Sequence, residues 1–161
     1  MNRKNYNSAV KEYSERIFRY AYKWTKSEAT SKDIVQEVFE KLWKNRKAVE
    51  VEKAKAWLFT TAHNLLANYS KKKKMISRED LVYSEPSVFE NRYELKDLIE
   101  VALSTLSTTQ KSILLLRDSE GYDYKEIGEI LKLNESQVKV YLFRARKKIK
   151  KYLKDLTVLV V

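Results

Sequence analysis

Two glycines, Gly121 and Gly128, and one proline, Pro86, serve a chain of 161 residues. Average usage of about 7% Gly and 5% Pro would supply roughly eleven and eight. Sheets need turns, and turns draw on residues that accept positive φ or hold φ fixed. A β-sandwich or barrel is therefore disfavoured, and the expected class is all-α. The same scarcity excludes glycine-rich phosphate loops, since neither G-x-x-x-x-G-K-[ST] nor G-x-G-x-x-G can be written with these two glycines.

Cysteine is absent and His63 is the only histidine. That removes disulfides, thiolate nucleophiles, Cys/His zinc sites and a Ser-His-Asp arrangement with a spare histidine. No catalytic residues, no metal site and no cofactor are expected, and the chain does not read as an enzyme. The amino-terminal residues 1–16 are polar and lack the apolar stretch of a secretory signal. No run approaches the ~18 apolar residues that span a bilayer. The expected location is the cytoplasm, with no membrane insertion. The chain carries 33 Lys+Arg against 22 Asp+Glu, net +11. A surplus of this size suits a polyanion, most often nucleic acid.

Apolar residues recur at helical spacing in several segments. The first runs over about 6–25, with Val10, Tyr13, Ile17, Tyr20 or Ala21, and Trp24 on one face. The second, 31–44, carries Ile34, Val35, Val38, Phe39, Leu42 and Trp43; Thr30 is placed to cap it, with Asp33 three residues on. The third, about 53–72, carries Ala54, Trp57, Leu58, Ala62, Leu65, Leu66 and Tyr69. From Ser70 to about Arg92 the pattern breaks, through a lysine run (71–74) and Pro86. This reads as a linker, or else as a short irregular helix inside a single domain. Periodicity returns with Leu95, Leu98, Ile99, Ala102, Leu103 and Leu106. Ser107 and Gln110 form a capping box for the next helix, which Gly121 ends. Asp123 caps a short helix, 132–134 make a turn, and Asn134 caps a last helix to about Leu153. Its inner face is Val138, Leu142, Ala145, Ile149 and Tyr152. The implied organisation is a domain at 1–70, a linker at 71–92, a second domain at 93–155, and an apolar tail at 156–161 with no assigned role.

A short capped helix, a three-residue turn and a longer helix make a helix-turn-helix over 123–152. Residues 94–135 hold 5 basic and 9 acidic side chains, whereas 139–154 hold 8 basic and none acidic. Such a helix is built to meet phosphates. Glu135, Ser136, Gln137, Lys139, Val140 and Phe143 at its start lie nearest base edges, with Arg144 and Lys147 beside them. On the third helix His63, Asn64 and Asn68 lie away from the apolar stripe, followed by Lys71 and Lys72. Amides beside a basic run suit a strand with unstacked bases, although structural asparagines explain the pattern as well. On the second helix Asp33, Gln36 and Glu37 form a polar face opposite Ile34, Val35 and Val38, either a partner surface or a solvated one.

The order of these segments resembles an extracytoplasmic-function sigma factor, a specificity subunit of bacterial RNA polymerase. D-I-V-Q-E-V-F-E-K-L-W (33–43) is similar to the polymerase-binding helix of region two. W-L-F-T-T-A-H-N-L-L-A-N-Y (57–69) is similar to the helix that reads the −10 element. G-Y-D-Y-K-E-I-G-E-I-L (121–131) with N-E-S-Q-V-K-V-Y-L-F-R-A-R-K-K-I (134–149) is similar to the region-four helix-turn-helix that reads the −35 element. The resemblance implies two small helical domains, of three and four helices, joined by a flexible linker. It implies that Asp33, Gln36, Glu37 and Glu40 meet core RNA polymerase at its β′ clamp helices, with the β flap as a further contact. It implies −10 contacts from Thr60, His63, Asn64, Asn68, Lys71 and Lys72, and a pocket for an extruded base in the loop from about Asn45 to Lys53. The −35 contacts fall on Glu135, Ser136, Gln137, Lys139, Val140, Phe143, Arg144 and Lys147. An anti-sigma factor is the implied inhibitor. Thr60 stands where a basic residue is common, and Lys132 replaces the usual glycine of the turn. Two other readings stay open: a helix-turn-helix regulator that binds a duplex operator as a dimer, and a helical module that binds only protein.

Overall fold

Apolar side chains at a spacing of three and four residues bury one stripe of each helix, and the stripes meet in the core. The computed structural model describes the backbone of residues 1–80 and 95–160, and the side chains of 1–76 and 98–155. Seven α-helices and no strands are found among the described residues. Helix α1 (Arg3–Thr25) starts at Asn2, whose side chain accepts from the Asn5 N–H, and ends at Lys26 with φ 55°. Its Ile17, Tyr20, Ala21 and Trp24 are buried, as the spacing requires.

Helix α2 (Glu28–Asn45) begins earlier than the apolar spacing implies. Thr30 is not its cap; Ser27 is, accepting from the Thr30 N–H at 3.1 Å. The left-handed Lys26 reverses the chain at once, so the first hydroxyl after it takes the capping position. A 3-10 turn at Val51–Lys53 leads into α3 (Ala54–Asp80). The lysine run 71–74 is thus helical, where the sequence pattern places the start of a linker. The remainder of that segment, including Pro86 and Arg92, falls largely outside the described residues.

The second domain holds α4 (Leu95–Ser104), α5 (Thr108–Leu114), α6 (Tyr124–Leu131) and α7 (Glu135–Val160). The Ser107–Gln110 capping box is formed in both directions. After α5 the helix widens into a π-turn at Leu115–Ser119, with the Glu120 N–H reaching back to the Leu115 carbonyl. Leu115 and Leu116 stay buried through this turn, and Ser119 and Glu120 face the first domain. Gly121 then takes φ 74°, which only glycine adopts without strain. Of the tail, the backbone to Val160 continues α7; the side chains of 156–160 and Val161 lie outside the described residues.

The turn between α6 and α7 has two backbone demands. Lys132 adopts φ 58°, a left-handed conformation that costs a residue with a Cβ about 1 kcal/mol. Gly128 allows that turn to fold back: a Cβ built there would lie 2.5 Å from the Leu133 carbonyl oxygen. Because the obstacle is backbone, no rotamer change relieves it. Gly128→Ala is expected to destabilise the protein by about 2–3 kcal/mol, on the scale of other overpacking substitutions. Urea unfolding with an unchanged midpoint would contradict this reading of the turn.

The two domains are packed on each other. One buried cluster runs through both, from Ile17, Leu42 and Leu66 to Ile113, Ile127 and Leu142. Phe59 of α3 meets Tyr20 at 5.7 Å and Tyr122 of the second domain at 5.1 Å between ring centroids. A smaller cluster of Leu103, Leu106 and Ala145 joins α4 to α7.

Candidate nucleic-acid interface

The helix-turn-helix is formed by α6 and α7. Asp123 accepts from the Glu126 N–H while Glu126 accepts from the Asp123 N–H, fixing the start of α6. Asn134 and Gln137 make the same reciprocal pair at the start of α7, at 2.8 and 3.0 Å. The side-chain oxygen of Gln137 is therefore engaged by the backbone, and only its NH2 faces outward. The N-x-x-Q spacing is the signal that reveals this, just as S-x-x-Q does at Ser107.

Val138, Leu142 and Ala145 anchor α7, each 2% exposed or less. The opposite face presents Glu135, Ser136, Lys139, Val140, Phe143, Arg144 and Lys147 to solvent. Phe143 is 67% exposed and Val140 45%. Large apolar side chains in that setting suit contact with a thymine methyl or a sugar face. Lys139 lies over the Tyr124 ring at 5.5 Å. Arg146, by contrast, is held by Asp118 at 2.5 Å.

On α2, Asp33, Gln36, Glu37 and Glu40 are all exposed, and their spacing places them on one face. Gln36 donates to Glu40 at 3.2 Å, and Glu37 lies 4.0 Å from Lys41. These contacts run along one exposed helix face and leave it in solvent.

The α3 residues divide into two groups. Asn64, Asn68, Lys71 and Lys72 are exposed. Thr60 and His63 are not: they face the second domain. The Thr60 hydroxyl lies 2.7 Å from the carbonyls of both Ala56 and Ile130, and donates to one at a time. His63 Nδ1 contacts the Ser112 hydroxyl, which also lies 2.6 Å from the Tyr20 hydroxyl. The expectation that His63 stands clear of the packed face is thus corrected. A helix stripe marks which residues face their own domain, and it does not mark which a second domain will cover.

Other contacts across the domains are not visible in spacing. Arg19 grips the Glu120 carboxylate through two nitrogens, at 3.1 and 2.5 Å. Lys55 reaches Glu126 at 2.7 Å, and Lys111 donates to the Trp24 carbonyl at 3.2 Å. Such partners lie dozens of residues apart, so no local pattern marks them. In the segment 45–53, Arg46 stacks on Trp43 at 3.9 Å and Val49 is buried.

Burial lowers the pKa of His63 below its usual 6.5. The folded protein therefore favours the neutral ring, and the unfolded chain takes up a proton first as pH falls. The stability that His63 contributes is present above pH 6.5 and is lost as pH falls toward the lowered folded value. The difference in urea midpoint between the wild type and His63→Gln should accordingly shrink between about pH 7.5 and pH 5. A constant difference across that range would exclude a buried neutral imidazole.

Residues 9–75 match the family model for Sigma-70 region 2, and residues 96–149 match that for Sigma-70, region 4. RNA polymerase sigma factor SigV of Bacillus subtilis (strain 168) is 30% identical over 146 residues, covering 87% of this chain and 86% of that protein. The chain belongs to the extracytoplasmic-function sigma factors. ECF RNA polymerase sigma factor SigM of the same organism is 28% identical over 147 residues, covering 86% of this chain and 88% of that one. The fold agrees: the sigma factor RpoE of Bartonella quintana, solved with the anti-sigma factor NepR, superposes with a TM-score of 0.71 at 24% identity. That match covers 94% of this sigma factor and 98% of RpoE. Sigma factors are initiation factors, not enzymes. Among the described residues no group of His, Asp and Glu is arranged to hold a metal, and no helix is long and apolar enough to cross a membrane.

Proposed function

We propose that the exposed faces of α2, α3 and α7 divide the work of promoter-specific initiation. Asp33, Gln36, Glu37 and Glu40 dock on a basic helical surface of core RNA polymerase, the β′ clamp helices, and the second domain meets the β flap. Lys139, Val140, Phe143, Arg144 and Lys147 enter the major groove of the −35 duplex, with Glu135, Ser136 and the NH2 of Gln137 at its edge. Asn64, Asn68, Lys71 and Lys72 follow the melted −10 strand, and the 45–53 segment receives an extruded base. The polymerase supplies the phosphoryl-transfer chemistry. The work takes place in the cytoplasm, and an anti-sigma factor is the expected inhibitor.

The observation that carries this reading is the simultaneous exposure of three faces in one chain: an acidic one on α2, an amide and lysine one on α3, and a basic one on α7 with Val140 and Phe143 standing in solvent. Thr60 and His63 are covered by the second domain, so their use in −10 reading requires the domains to part. The energy for that comes from polymerase and promoter together, each domain raising the effective concentration of the other at its element.

A duplex-binding test separates this from a dimeric regulator. The isolated chain should bind a −35 duplex weakly, with an affinity that falls steeply with salt. With core polymerase present the same promoter should be held at least a hundredfold more tightly. Tight, polymerase-independent binding to a palindrome would favour the regulator instead.

A further inference from the structure

A cleft of about 270 Å³ opens between the end of α1, α3 and the α4–α5 corner. Lys23 and Lys26 line it from the first domain, Lys73 and Lys74 from α3, and Lys111 from the second domain. Glu100 is the one carboxylate on its wall, and Tyr69 is the remaining titratable group. Among the described residues, none of the five lysines is paired with a carboxylate within 4 Å. Lys23 contacts the Ser119 hydroxyl, and Lys111 reaches only the Trp24 carbonyl and ring.

Lys73, Lys26 and Lys74 add like charge around Lys111, and burial deprives Lys111 of the water that would screen it. Its pKa is pushed down to about 8, by burial first and then by Lys73, Lys26 and Lys74, with Glu100 opposing. With Glu100 the one carboxylate among the described residues of the wall, five lysines outnumber their counter-charge, and holding Lys111 among them costs stability. A compact polyvalent anion removes that cost.

We propose that this cleft is a binding site for a small polyphosphate anion, which bridges the two domains through Lys73 and Lys74 on one side and Lys111 on the other. The cleft is near the small end of ligand pockets, large enough for a short chain of phosphates. A duplex presents its phosphates on a convex surface, whereas Lys111 is half-buried in the cleft against Trp24. The anion binds only while the domains are packed, so it stabilises that arrangement by mass action. In that arrangement Thr60 and His63 stay covered. The site depends on the packing of the domains and not on promoter reading, so it stands or falls separately from the proposed function.

Calorimetry on the intact chain at fixed ionic strength tests this, with inorganic tripolyphosphate, ATP, sulfate, and a single-stranded oligonucleotide of matched charge. Tripolyphosphate should bind at least tenfold more tightly than sulfate. Lys111→Gln should weaken it tenfold or more, while Lys11→Gln on the far part of α1 should change it less than twofold. Lys111→Gln removes a buried charge, so its fold should be intact by circular dichroism. Binding near pH 8 should take up protons in the wild type and not in Lys111→Gln. ATP tighter than tripolyphosphate would make the natural ligand a nucleoside polyphosphate, and equal affinity a phosphate chain alone; either supports the site. Equal losses in both variants, no preference over sulfate, or tighter Lys111-dependent binding of the oligonucleotide would overturn it.

Discussion

Reversing two charges on α2, as Asp33→Lys with Glu37→Lys, should abolish comigration with core RNA polymerase while leaving the protein folded. Both side chains are exposed, so neither reversal disturbs the core. Inside the protein the double reversal breaks the Glu37–Lys41 pair at 4.0 Å, and exposed pairs of this kind contribute about 0.5 kcal/mol or less. Against a basic partner surface the effect is different. Each reversal removes an attraction and introduces a repulsion, and like-charge contacts at an interface cost several kcal/mol. Two together should weaken core binding by roughly a thousandfold, about 4 kcal/mol. The expected result is a normal melting curve and no complex in size-exclusion chromatography with core polymerase. Retained binding would show that the acidic face is only solvated surface.

Phe59→Ala carries the largest expected effect on the fold. Phe59 is fully buried, and its ring packs on Tyr20 within its own domain and on Tyr122 from the other. Truncating a buried phenylalanine costs about 3–5 kcal/mol, the upper part of the range applying where the walls cannot collapse. Here the walls are two tyrosines, and the Tyr20 hydroxyl is tied to Ser112. Collapse into the cavity would break that tie. The substitution should therefore lower overall stability and loosen the packing between the domains together. Hydrogen exchange would show both: faster global exchange, and a specific gain at the backbone amides around Thr60 and Ser112. A stability loss under 1 kcal/mol would mean that the shared cluster does not couple the domains.

Much of the fold is legible in the sequence because the signals are local. The buried faces of α1 and α2, the Ser107–Gln110 box, the Asp123 and Asn134 caps and the positive φ of Gly121 follow from short-range patterns. Helix α2 shows the limit of such signals. Thr30 and Ser27 are both capable caps by residue type, serine somewhat the better, and the left-handed turn at Lys26, which no sequence pattern requires, places Ser27 at the helix start. The π-turn at Leu115–Ser119 is also illegible, since Leu-Leu-Leu reads as ordinary helix.

The site is legible in proportion to how exposed it is. The α2 and α7 faces stand in solvent as their periodicity implies. His63 and Thr60 do not, because their burial comes from α5 and α6, some fifty to seventy residues further along the chain. The lysines of the interdomain cleft are legible as basic residues but not as a cluster, because α1 brings Lys23 to Lys73 only through the fold of the first domain, and Lys111 joins them only when the domains pack.

Run-off transcription on a genomic fragment library, with purified core polymerase and with or without this chain, tests the central claim most directly. Discrete new start sites sharing −10 and −35 sequences are the expected result. Those starts should weaken at least tenfold with Lys139→Ala or Asn64→Ala, two exposed residues whose loss leaves the fold intact. An absence of new starts, from a chain shown to be folded and tested with active core polymerase, would contradict it.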